Sequence, residues 1–204
     1  MSGVFAIIPV GTLDGAKSRL GAVLDAEERL ELARRLARRT IEAAVASDRV
    51  VETIVVTPDD VVRDMALASG ARPLRQRSDG LNQGLAEARD EAVAAGARAI
   101  LVLPTDLPAV STRAIDDVLD TLDGPLPAVT VVSDRHGRGT NALLLAPPDV
   151  IGFCFGGDSR GAHAAAARSA GARLTELEGP LTLDLDTPED LLLAEGIERG
   201  LGVG

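Results

Sequence analysis

Short apolar segments alternate with segments of helical periodicity along most of the chain. Five runs rich in valine, isoleucine and leucine predict strands over residues 4–10, 51–57, 99–103, 128–133 and 142–145. Four segments between or beside them predict helices over residues 26–47, 59–69, 82–95 and 111–122, with Asp59, Asn82 and Ser111 as capping residues. This alternation predicts an α/β fold with a mostly parallel sheet that carries helices on both faces. Ligands bind such sheets at the carboxyl ends of the strands, so the loops that follow strands are the places to search for a site.

The composition fits a chain that folds around one aliphatic core. We predict a single domain over residues 1–204, because this length lies within the range of one domain. The chain has only three phenylalanines and no tyrosine or tryptophan, so its core must be aliphatic. No apolar run approaches the roughly 20 residues that span a bilayer, and no signal-like segment opens the chain, so we expect a cytoplasmic protein. The glycine-rich end, residues 200–204, is predicted to fray.

The charge of the chain argues against polyanionic partners. The formal net charge is −10 at pH 7 and the basic residues are scattered, so nucleic acid is not expected to bind. An anionic small molecule would need a local cation, a metal ion or backbone N–H groups. Cys154 is the only cysteine, which rules out an intrachain disulfide and a multi-cysteine metal site, and we expect it to be a small buried hydrophobic residue.

The loop after the first predicted strand combines backbone freedom with positive charge. It contains Gly11 and Gly15 and ends with Lys17, which is the only lysine in the chain, and Arg19. The N–H groups and cations of such a loop can wrap a triphosphate. The segment lacks the Gly-Lys-Ser/Thr order of the Walker motif, and it is also compatible with a plain surface turn.

Three aspartates are candidates for a magnesium site. Asp106 follows the predicted strand over residues 99–103, while Asp184 and Asp186 lie two residues apart near the C-terminus. Alternate side chains of an extended segment share a face, so both could converge on one cation together with Asp106, and magnesium prefers oxygen ligands. The alternative is that Asp106 caps a turn, and that Asp186 or Thr187 caps a helix with Pro188 in its first turn. Capping gives no reason for Asp184, and the two interpretations can hold together.

Two further loops, residues 134–141 and 155–163, are candidates for anion binding. Gly156 and Gly157 would let the backbone approach a ligand, and Ser159 begins an alanine-rich helix whose free N–H groups attract an anion. An ordinary glycine turn with an N-cap is the alternative. His136 and His163 are expected to be solvated or hydrogen-bonded, and neither receives a catalytic role.

Five motifs in a fixed order carry a resemblance to a known family. They are the Pro9-Val10 strand end leading to Ala16-Lys17-Ser18-Arg19-Leu20, then Asp106-Leu107-Pro108, Gly139-Thr140-Asn141-Ala142-Leu143, Phe155-Gly156-Gly157-Asp158-Ser159 and Asp184-Leu185-Asp186-Thr187-Pro188. With these motifs, nearly the whole chain resembles the guanylyltransferases of coenzyme F420 biosynthesis that act on 2-phospho-L-lactate or phosphoenolpyruvate.

The resemblance implies a Rossmann-like nucleotidyltransferase fold, similar to that of the molybdenum-cofactor guanylyltransferases, and a set of site residues. The implied magnesium ligands are Asp106, Asp184 and Asp186, and the acid substrate would contact Thr140, Gly156 and Ser159. The nucleotide would contact Pro9, Val10, Lys17, Arg19, Asn82 and Gly84. The catalytic residues would be Lys17, Arg19 and Asp106. The chain departs from the family pattern at two positions, with Gly11 where the family often has lysine and Gly157 where it often has proline.

The implied reaction joins the GMP unit of GTP to the phosphate of an acid and releases pyrophosphate. Arginine outnumbers lysine 20 to 1, as in GC-rich genomes such as those of actinobacteria, and this favours phosphoenolpyruvate as acceptor, with enolpyruvyl-diphospho-guanosine as product. Alternative acceptors are 2-phospho-L-lactate, which gives lactyl-diphospho-guanosine, and 3-phosphoglycerate. More distant alternatives are a sugar-phosphate or molybdopterin nucleotidyltransferase and a protein that binds GTP without catalysis. Pairing of two copies through surface helices would suit this fold.

Overall fold

A seven-stranded sheet forms the centre of the molecule. The computed structural model describes residues 3–200, with side chains up to residue 196. The strands in chain order are β1 Val4–Pro9, β2 Val50–Thr57, β3 Arg72–Arg75, β4 Ala99–Val102, β5 Ala128–Ser133, β6 Thr140–Ala146 and β7 Arg173–Leu177. They lie in the order β3-β2-β1-β4-β6-β5-β7. Only the two pairings that involve β6 are antiparallel within this sheet, so the predicted mostly parallel sheet is confirmed.

Helices cover both faces of the sheet, as predicted. They are α1 Ala26–Val45, α2 Asp60–Ala68, α3 Leu81–Ala94, α4 Thr112–Leu119, α5 Ser159–Ser169 and α6 Pro188–Gly200, with short 3₁₀ turns at Ser18–Leu20, Asp120–Leu122 and Pro180–Thr182. Asp59 and Ser111 cap α2 and α4 through their side chains, as expected. Asn82 is not a cap, because α3 begins one residue earlier and Gly80 occupies the capping position.

The inner strand β1 shows why the apolar runs are continuous. Ala6 and Ile8 are buried in the core that contains residues of α1, α2 and α4, whereas Phe5 and Ile7 are buried in the core that contains residues of α3 and α5. Strand residues therefore meet apolar side chains on both faces. Each large aliphatic side chain that is fully buried in this way contributes about 1.5–3 kcal/mol relative to exposure.

The edge strands β3 and β7 were not predicted from the sequence. Their sequences, Arg-Pro-Leu-Arg and Arg-Leu-Thr-Glu-Leu, contain charged residues and are only partly buried, so they lack the apolar run that marks the inner strands. They are strands because they pair with β2 and β5. Residues 201–204, over which most of the fraying was predicted, lie outside the described residues.

The direction of β6 determines the shape of the candidate site. β6 runs antiparallel to β5, and their register pairs Thr140, its first residue, with Ser133, the last residue of β5. The start of β6 therefore lies at the same sheet edge as the carboxyl ends of β1, β4 and β5. No helix over residues 3–200 is long and apolar enough to cross a membrane.

Candidate active site

The loop between β1 and α1 is anchored at one point and strained at another. The Leu13 N–H donates a hydrogen bond of 3.1 Å to Asp59, the residue that caps α2. Gly15 and Lys17 both have positive φ, 71° and 54°, and Lys17 is the only residue other than glycine with positive φ in the described part of the chain. A residue with a Cβ pays about 1–2 kcal/mol for this left-handed conformation. The one lysine of the chain is therefore held in a strained turn.

The Lys17 ammonium lies between two of the three predicted metal ligands. Its Nζ is 3.1 Å from Asp186 Oδ1 and 3.6 Å from Asp106 Oδ2, and the side chain is 12% exposed. Arg19 Nη1 lies 3.4 Å from the other oxygen of Asp186. The fold thus brings together three segments that are far apart in the sequence.

The segment that carries Asp184 and Asp186 is fastened to the sheet by hydrogen bonds. The Leu185 N–H donates to the Asp106 carbonyl at 2.8 Å, and the Asn141 amide donates to the carbonyls of Leu181 and Thr182 at 3.0 Å each. Asn141 is part of a motif seen in the sequence, but sequence reasoning assigned it no role. It holds the turn that precedes the two aspartates against the start of β6.

Asp184 lies in a concentration of negative charge. Burial raises the pKa of its carboxyl group, and the nearby carboxylates of Asp106, Asp186 and Asp134 raise it further. Asp134 was missed as a candidate side chain, although it follows β5 just as Asp106 follows β4. Its carboxylate also accepts a hydrogen bond of 2.8 Å from the Arg138 N–H.

These carboxylates suit a divalent cation. No three carboxylate, imidazole or thiol groups within residues 3–196 are arranged as a preformed metal cage. However, Asp106 and Asp186 already share one cationic partner, Lys17, and the repulsion at Asp184 is of the kind that a nearby divalent cation relieves. Magnesium binding by Asp106, Asp184 and Asp186 stays a prediction.

Helix capping next to this cluster uses Thr187 and Asp190. Thr187 Oγ1 accepts a hydrogen bond from the Asp190 N–H at 3.3 Å, and the Asp190 carboxylate accepts one from the Thr187 N–H at 2.7 Å. This reciprocal cap begins α6 without the Asp186 side chain, which remains with Lys17 and Arg19. Of the two capping candidates, Thr187 is therefore the N-cap, and both interpretations of the segment hold.

The predicted acid-binding residues lie around the start of β6 and the start of α5. The Arg160 N–H donates to the Arg138 carbonyl at 3.0 Å, which ties α5 to the loop before Thr140. Ser159 is the first residue of α5, and its hydroxyl makes no hydrogen bond within the described residues. Gly156 has a φ of 153°, and a Cβ on Gly157 would meet nothing within 4 Å. The start of α5 thus carries a hydroxyl without a partner within the described residues, and it is tied to the loop that leads into Thr140.

The loop before α5 is held by two side chains. His163 Nε2 accepts a hydrogen bond of 2.9 Å from the Cys154 N–H, and His163 Nδ1 lies 3.1 Å from Thr140 Oγ1. Asn82 binds Phe155 twice, by donating to its carbonyl at 3.0 Å and accepting from its N–H at 2.9 Å. The nucleotide contact of Asn82 stays a prediction. Cys154 is exposed, so its expected burial is wrong.

Two cavities adjoin the predicted nucleotide-binding residues. One has a volume of about 270 Å³ and is lined by Pro9, Val10, Gly11, Pro58, Gln76, Gly80 and Leu81. The other has a volume of about 320 Å³ and is lined by Ala16, Lys17, Ser18, Arg19 and Asp186. Gly84 lines neither cavity. A Cβ at this position would lie 2.7 Å from the Gln76 side chain, so only glycine leaves room for Gln76 in its present conformation. The larger grooves, of about 610 and 540 Å³, flank α1 and contain none of the predicted site residues.

The fold is shared with solved structures. A protein of Desulfovibrio desulfuricans G20, provisionally described as a nucleotide-diphospho-sugar transferase, superposes with a TM-score of 0.79 over 98% of this chain and 89% of its own at 16% identity. The 4-diphosphocytidyl-2C-methyl-D-erythritol synthase of Anaerococcus prevotii superposes with a TM-score of 0.67 over 97% and 96% of the two chains at 9% identity. At such low identities these likenesses establish the Rossmann-like nucleotidyltransferase fold alone.

Sequence comparison identifies the family. The family model described as "Guanylyl transferase CofC like" matches residues 4–197. The phosphoenolpyruvate guanylyltransferase of Rubrobacter xylanophilus is 42% identical over 193 residues, which are 94% of this chain and 93% of the relative. That of Sphaerobacter thermophilus is 42% identical over 187 residues, 91% and 89% of the two chains. The chain is therefore a nucleotidyltransferase, whose partners are a nucleoside triphosphate and a phosphorylated acceptor, and it belongs to the CofC-like guanylyltransferase family.

Proposed function

We propose that this chain transfers GMP from GTP to the phosphate of phosphoenolpyruvate, giving enolpyruvyl-diphospho-guanosine and pyrophosphate as a step of coenzyme F420 biosynthesis. The observation that carries the proposal is the position of Lys17, whose Nζ lies 3.1 Å from Asp186 and 3.6 Å from Asp106. A phosphate-binding cation and the carboxylates of a metal site meet there at one sheet edge. The choice of phosphoenolpyruvate is supported by the names of the relatives.

GTP would lie along the two cavities at this edge. Its guanosine would occupy the cavity lined by Pro9 and Val10, with α3 and its Asn82 and Gly84 beside it, and its phosphates would extend into the cavity lined by Lys17 and Arg19. A triphosphate offers both cations stronger partners than the aspartates that they contact in this structure. The Lys17 ammonium would then exchange a carboxylate contact for a phosphate contact when GTP binds.

Asp106, Asp184 and Asp186 would hold magnesium, which supplies positive charge that offsets the charge of the phosphates. The raised pKa of Asp184 supports this assignment, because a carboxyl group surrounded by other carboxylates is the position where a cation stabilises the ionised form most. Asn141 keeps these aspartates in place through the turn at residues 181–182.

The acid acceptor would bind between the start of β6 and the start of α5. Thr140 and Ser159 offer hydroxyl groups, and the backbone at Gly156 offers an N–H to a carboxylate. The capping residue of α5, Asp158, makes no side-chain hydrogen bond to the helix, so the N–H groups of Ser159 and Gly161 in the first turn are available to an anion, whereas that of Arg160 is bonded to the Arg138 carbonyl.

The protein needs no nucleophile of its own. An oxygen of the acceptor phosphate forms a bond to the α-phosphorus of GTP, while the bond from that phosphorus to the oxygen bridging to the β-phosphate breaks and pyrophosphate leaves with the electron pair. Both reactants are anions, so the work of the site is to place them in line and to offset their repulsion. Lys17 and Arg19 bind the leaving phosphates, and the α5 region orients the acid.

The test is release of pyrophosphate from GTP and magnesium with phosphoenolpyruvate, 2-phospho-L-lactate or 3-phosphoglycerate. We expect release with phosphoenolpyruvate and a loss on the order of 10²-fold or more in Asp106→Asn, because a charge-stabilising group at the reaction centre is removed. Asp123→Asn, an exposed carboxylate near the start of β5 at the opposite sheet edge, is the matched control and should retain activity. Release with another acceptor would correct the substrate, and binding of GTP without release under any acceptor would contradict the proposal.

A further inference from the structure

We infer that His163 is a positioning residue for the acceptor site, which fixes the Thr140 hydroxyl as a hydrogen-bond donor and the backbone of the adjacent loop with one imidazole ring. The inference rests on the proposed function, because it assigns Thr140 to the acid acceptor. His163 itself would not touch the substrate, since it is 0% exposed beneath Thr140 and the loop.

The hydrogen bonds determine which nitrogen of His163 carries the proton. The Cys154 N–H donates to Nε2 at 2.9 Å, so Nε2 must be the unprotonated, accepting nitrogen. In a neutral imidazole the proton is then on Nδ1, which lies 3.1 Å from Thr140 Oγ1 and donates to it. Burial lowers the pKa of His163 to about 4, so the ring is neutral at neutral pH.

This tautomer fixes the role of the Thr140 hydroxyl. Because Oγ1 accepts from His163, its own proton must point in another direction, and no other partner for it exists within the described residues. Thr140 is only 6% exposed, so a ligand can approach this residue over only a small area at the edge of the sheet. A hydroxyl that is committed to donate suits an acceptor made of carboxylate and phosphate oxygens, which offers no donors in return.

The same ring determines the path of the loop before α5. His163 holds the N–H of Cys154, the Phe155 ring packs edge-on against the imidazole with 4.9 Å between centroids, and Asn82 binds both backbone groups of Phe155. Two consecutive backbone positions are thus held from α5 and from α3. The next residue, Gly156, begins the stretch whose backbone N–H groups would receive the acid.

Kinetics distinguish a histidine that only fills space from one that positions Thr140. If His163 acts through Thr140, removing its Nδ1–H and removing the threonine hydroxyl affect the same contact, so the two losses are not additive. If it only packs, each loss acts separately and KM values for both substrates change together.

The first experiment is independent of activity. The chain has two histidines, so the ¹⁵N imidazole resonances of the full chain can be assigned by comparison with His163→Gln. We expect the His163 ring to be neutral with the proton on Nδ1 at pH 7. A proton on Nε2, or a ring that is doubly protonated at pH 7, would overturn the inference whatever the enzyme does.

The second experiment is a kinetic cycle with GTP, magnesium and phosphoenolpyruvate. His163→Gln keeps an oxygen that can accept from the Cys154 N–H but removes the Nδ1–H, and Thr140→Val removes the hydroxyl with little change of shape. We expect each to raise the KM for phosphoenolpyruvate by about ten-fold, the cost of one buried hydrogen bond, with the KM for GTP nearly unchanged, and the double variant to lose little more than one single variant.

Two further variants complete the cycle. His163→Asn restores a donor near Nδ1 and should recover part of the loss in His163→Gln. Thr53→Val is the control. It removes a buried hydroxyl in β2 that has no hydrogen-bond partner, and it should leave the KM for phosphoenolpyruvate unchanged. Additive losses, or equal increases in both KM values, would overturn the inference. No acceptor-dependent pyrophosphate release by the wild type would instead overturn the proposed function, with the tautomer still decided by the ¹⁵N measurement.

Discussion

The functional side chains of the two halves of the candidate site make different kinds of contact. The phosphate half consists of Lys17, Arg19, Asp106, Asp184 and Asp186, and its contacts in this structure are ion pairs between partly exposed side chains. The acceptor half consists of Thr140, Gly156 and Ser159, and it is supported by neutral hydrogen bonds from His163 and Asn82. Charged side chains that pair with each other can pair with a charged ligand instead, whereas buried hydrogen bonds between neutral groups hold the loop in one conformation. The phosphate half is therefore built to exchange partners and the acceptor half to keep its geometry.

The largest effect that would test this comparison is expected at Lys17. Lys17→Met removes the one cation shared by Asp106 and Asp186, so we expect kcat/KM for GTP to fall by about 10²–10³-fold, as for other groups that stabilise charge at the reaction centre. Thermal stability should change little, because both aspartate partners are partly exposed and such ion pairs contribute only about 0–1 kcal/mol. Lys17→Arg is the matched control and should retain more activity. A large loss of stability with activity preserved would reverse the comparison.

The next effect concerns the buried imidazole of the acceptor half. The pKa of His163 is lowered from 6.5 to about 4 in the folded state, so below pH 6.5 the unfolded chain binds a proton that the folded chain does not. Protonation of His163 in the unfolded chain therefore lowers the free energy of unfolding as pH falls from 6.5 to 4, by up to about 3 kcal/mol at the acid end. The free energy of unfolding, measured by denaturation across this pH range, should depend more steeply on pH in the wild type than in His163→Gln. His136→Gln, at an exposed histidine, should follow the wild type.

The two asparagines of the chain allow the kinetic contributions of the two halves to be tested independently. Asn141→Ala removes hydrogen bonds to the carbonyls of Leu181 and Thr182, and Asn82→Ala removes the two to Phe155. Each should lower the free energy of unfolding by about 1–3 kcal/mol. We expect Asn141→Ala to raise the magnesium concentration needed for half-maximal rate, and Asn82→Ala to raise the KM for phosphoenolpyruvate. The same kinetic change in both variants would show that the halves are not independent.

The smallest effect is expected from adding a cation to the loop that joins the cavity proposed for guanosine to the phosphate half. A Cβ at Gly11 would meet nothing within 4 Å, and this glycine lines the cavity proposed for guanosine. Gly11→Lys places the residue that the family often has at this position. We expect the KM for GTP to fall by about two- to five-fold, as for a single exposed charge pair, with the KM for phosphoenolpyruvate unchanged. A weaker binding of GTP would show that the cavity has another occupant.

The phosphate half was much easier to predict from the sequence than the acceptor half. Lys17 is the only lysine, and Asp184 lies two residues before Asp186 at a position that helix capping does not explain, so composition and spacing made these residues candidates. The bonds of His163 and Asn82 join positions that are 9 to 73 residues apart along the chain, and no local pattern marks them. The exposure of Cys154 was missed for the same reason, because its type suggests burial and only its place in the loop exposes it.

The fold shows the same division. The inner strands and the helices were predicted because burial on both faces, or on one helical stripe, produces a regular apolar pattern. Strands β3 and β7 were missed because an edge strand is ordered by its neighbour's hydrogen bonds and can carry arginine, glutamate or proline. Asp134 was missed although it follows a predicted strand, because its nearness to Asp184 arises only when β5 is placed in the sheet.

Sequence alone determined the class of fold and the family, and it predicted the sheet edge for ligands and most of the charged candidate side chains, because these depend on residue type, periodicity and ordered motifs. The tertiary structure alone decided which charges meet. It placed Lys17 between Asp106 and Asp186 and ran β6 antiparallel, so that Thr140 lies at the edge where β1, β4 and β5 end. It also gave His163 the hydrogen bonds that determine its tautomer. These outcomes depend on distances between remote segments, and such distances are set by the packing of the whole sheet and its helices.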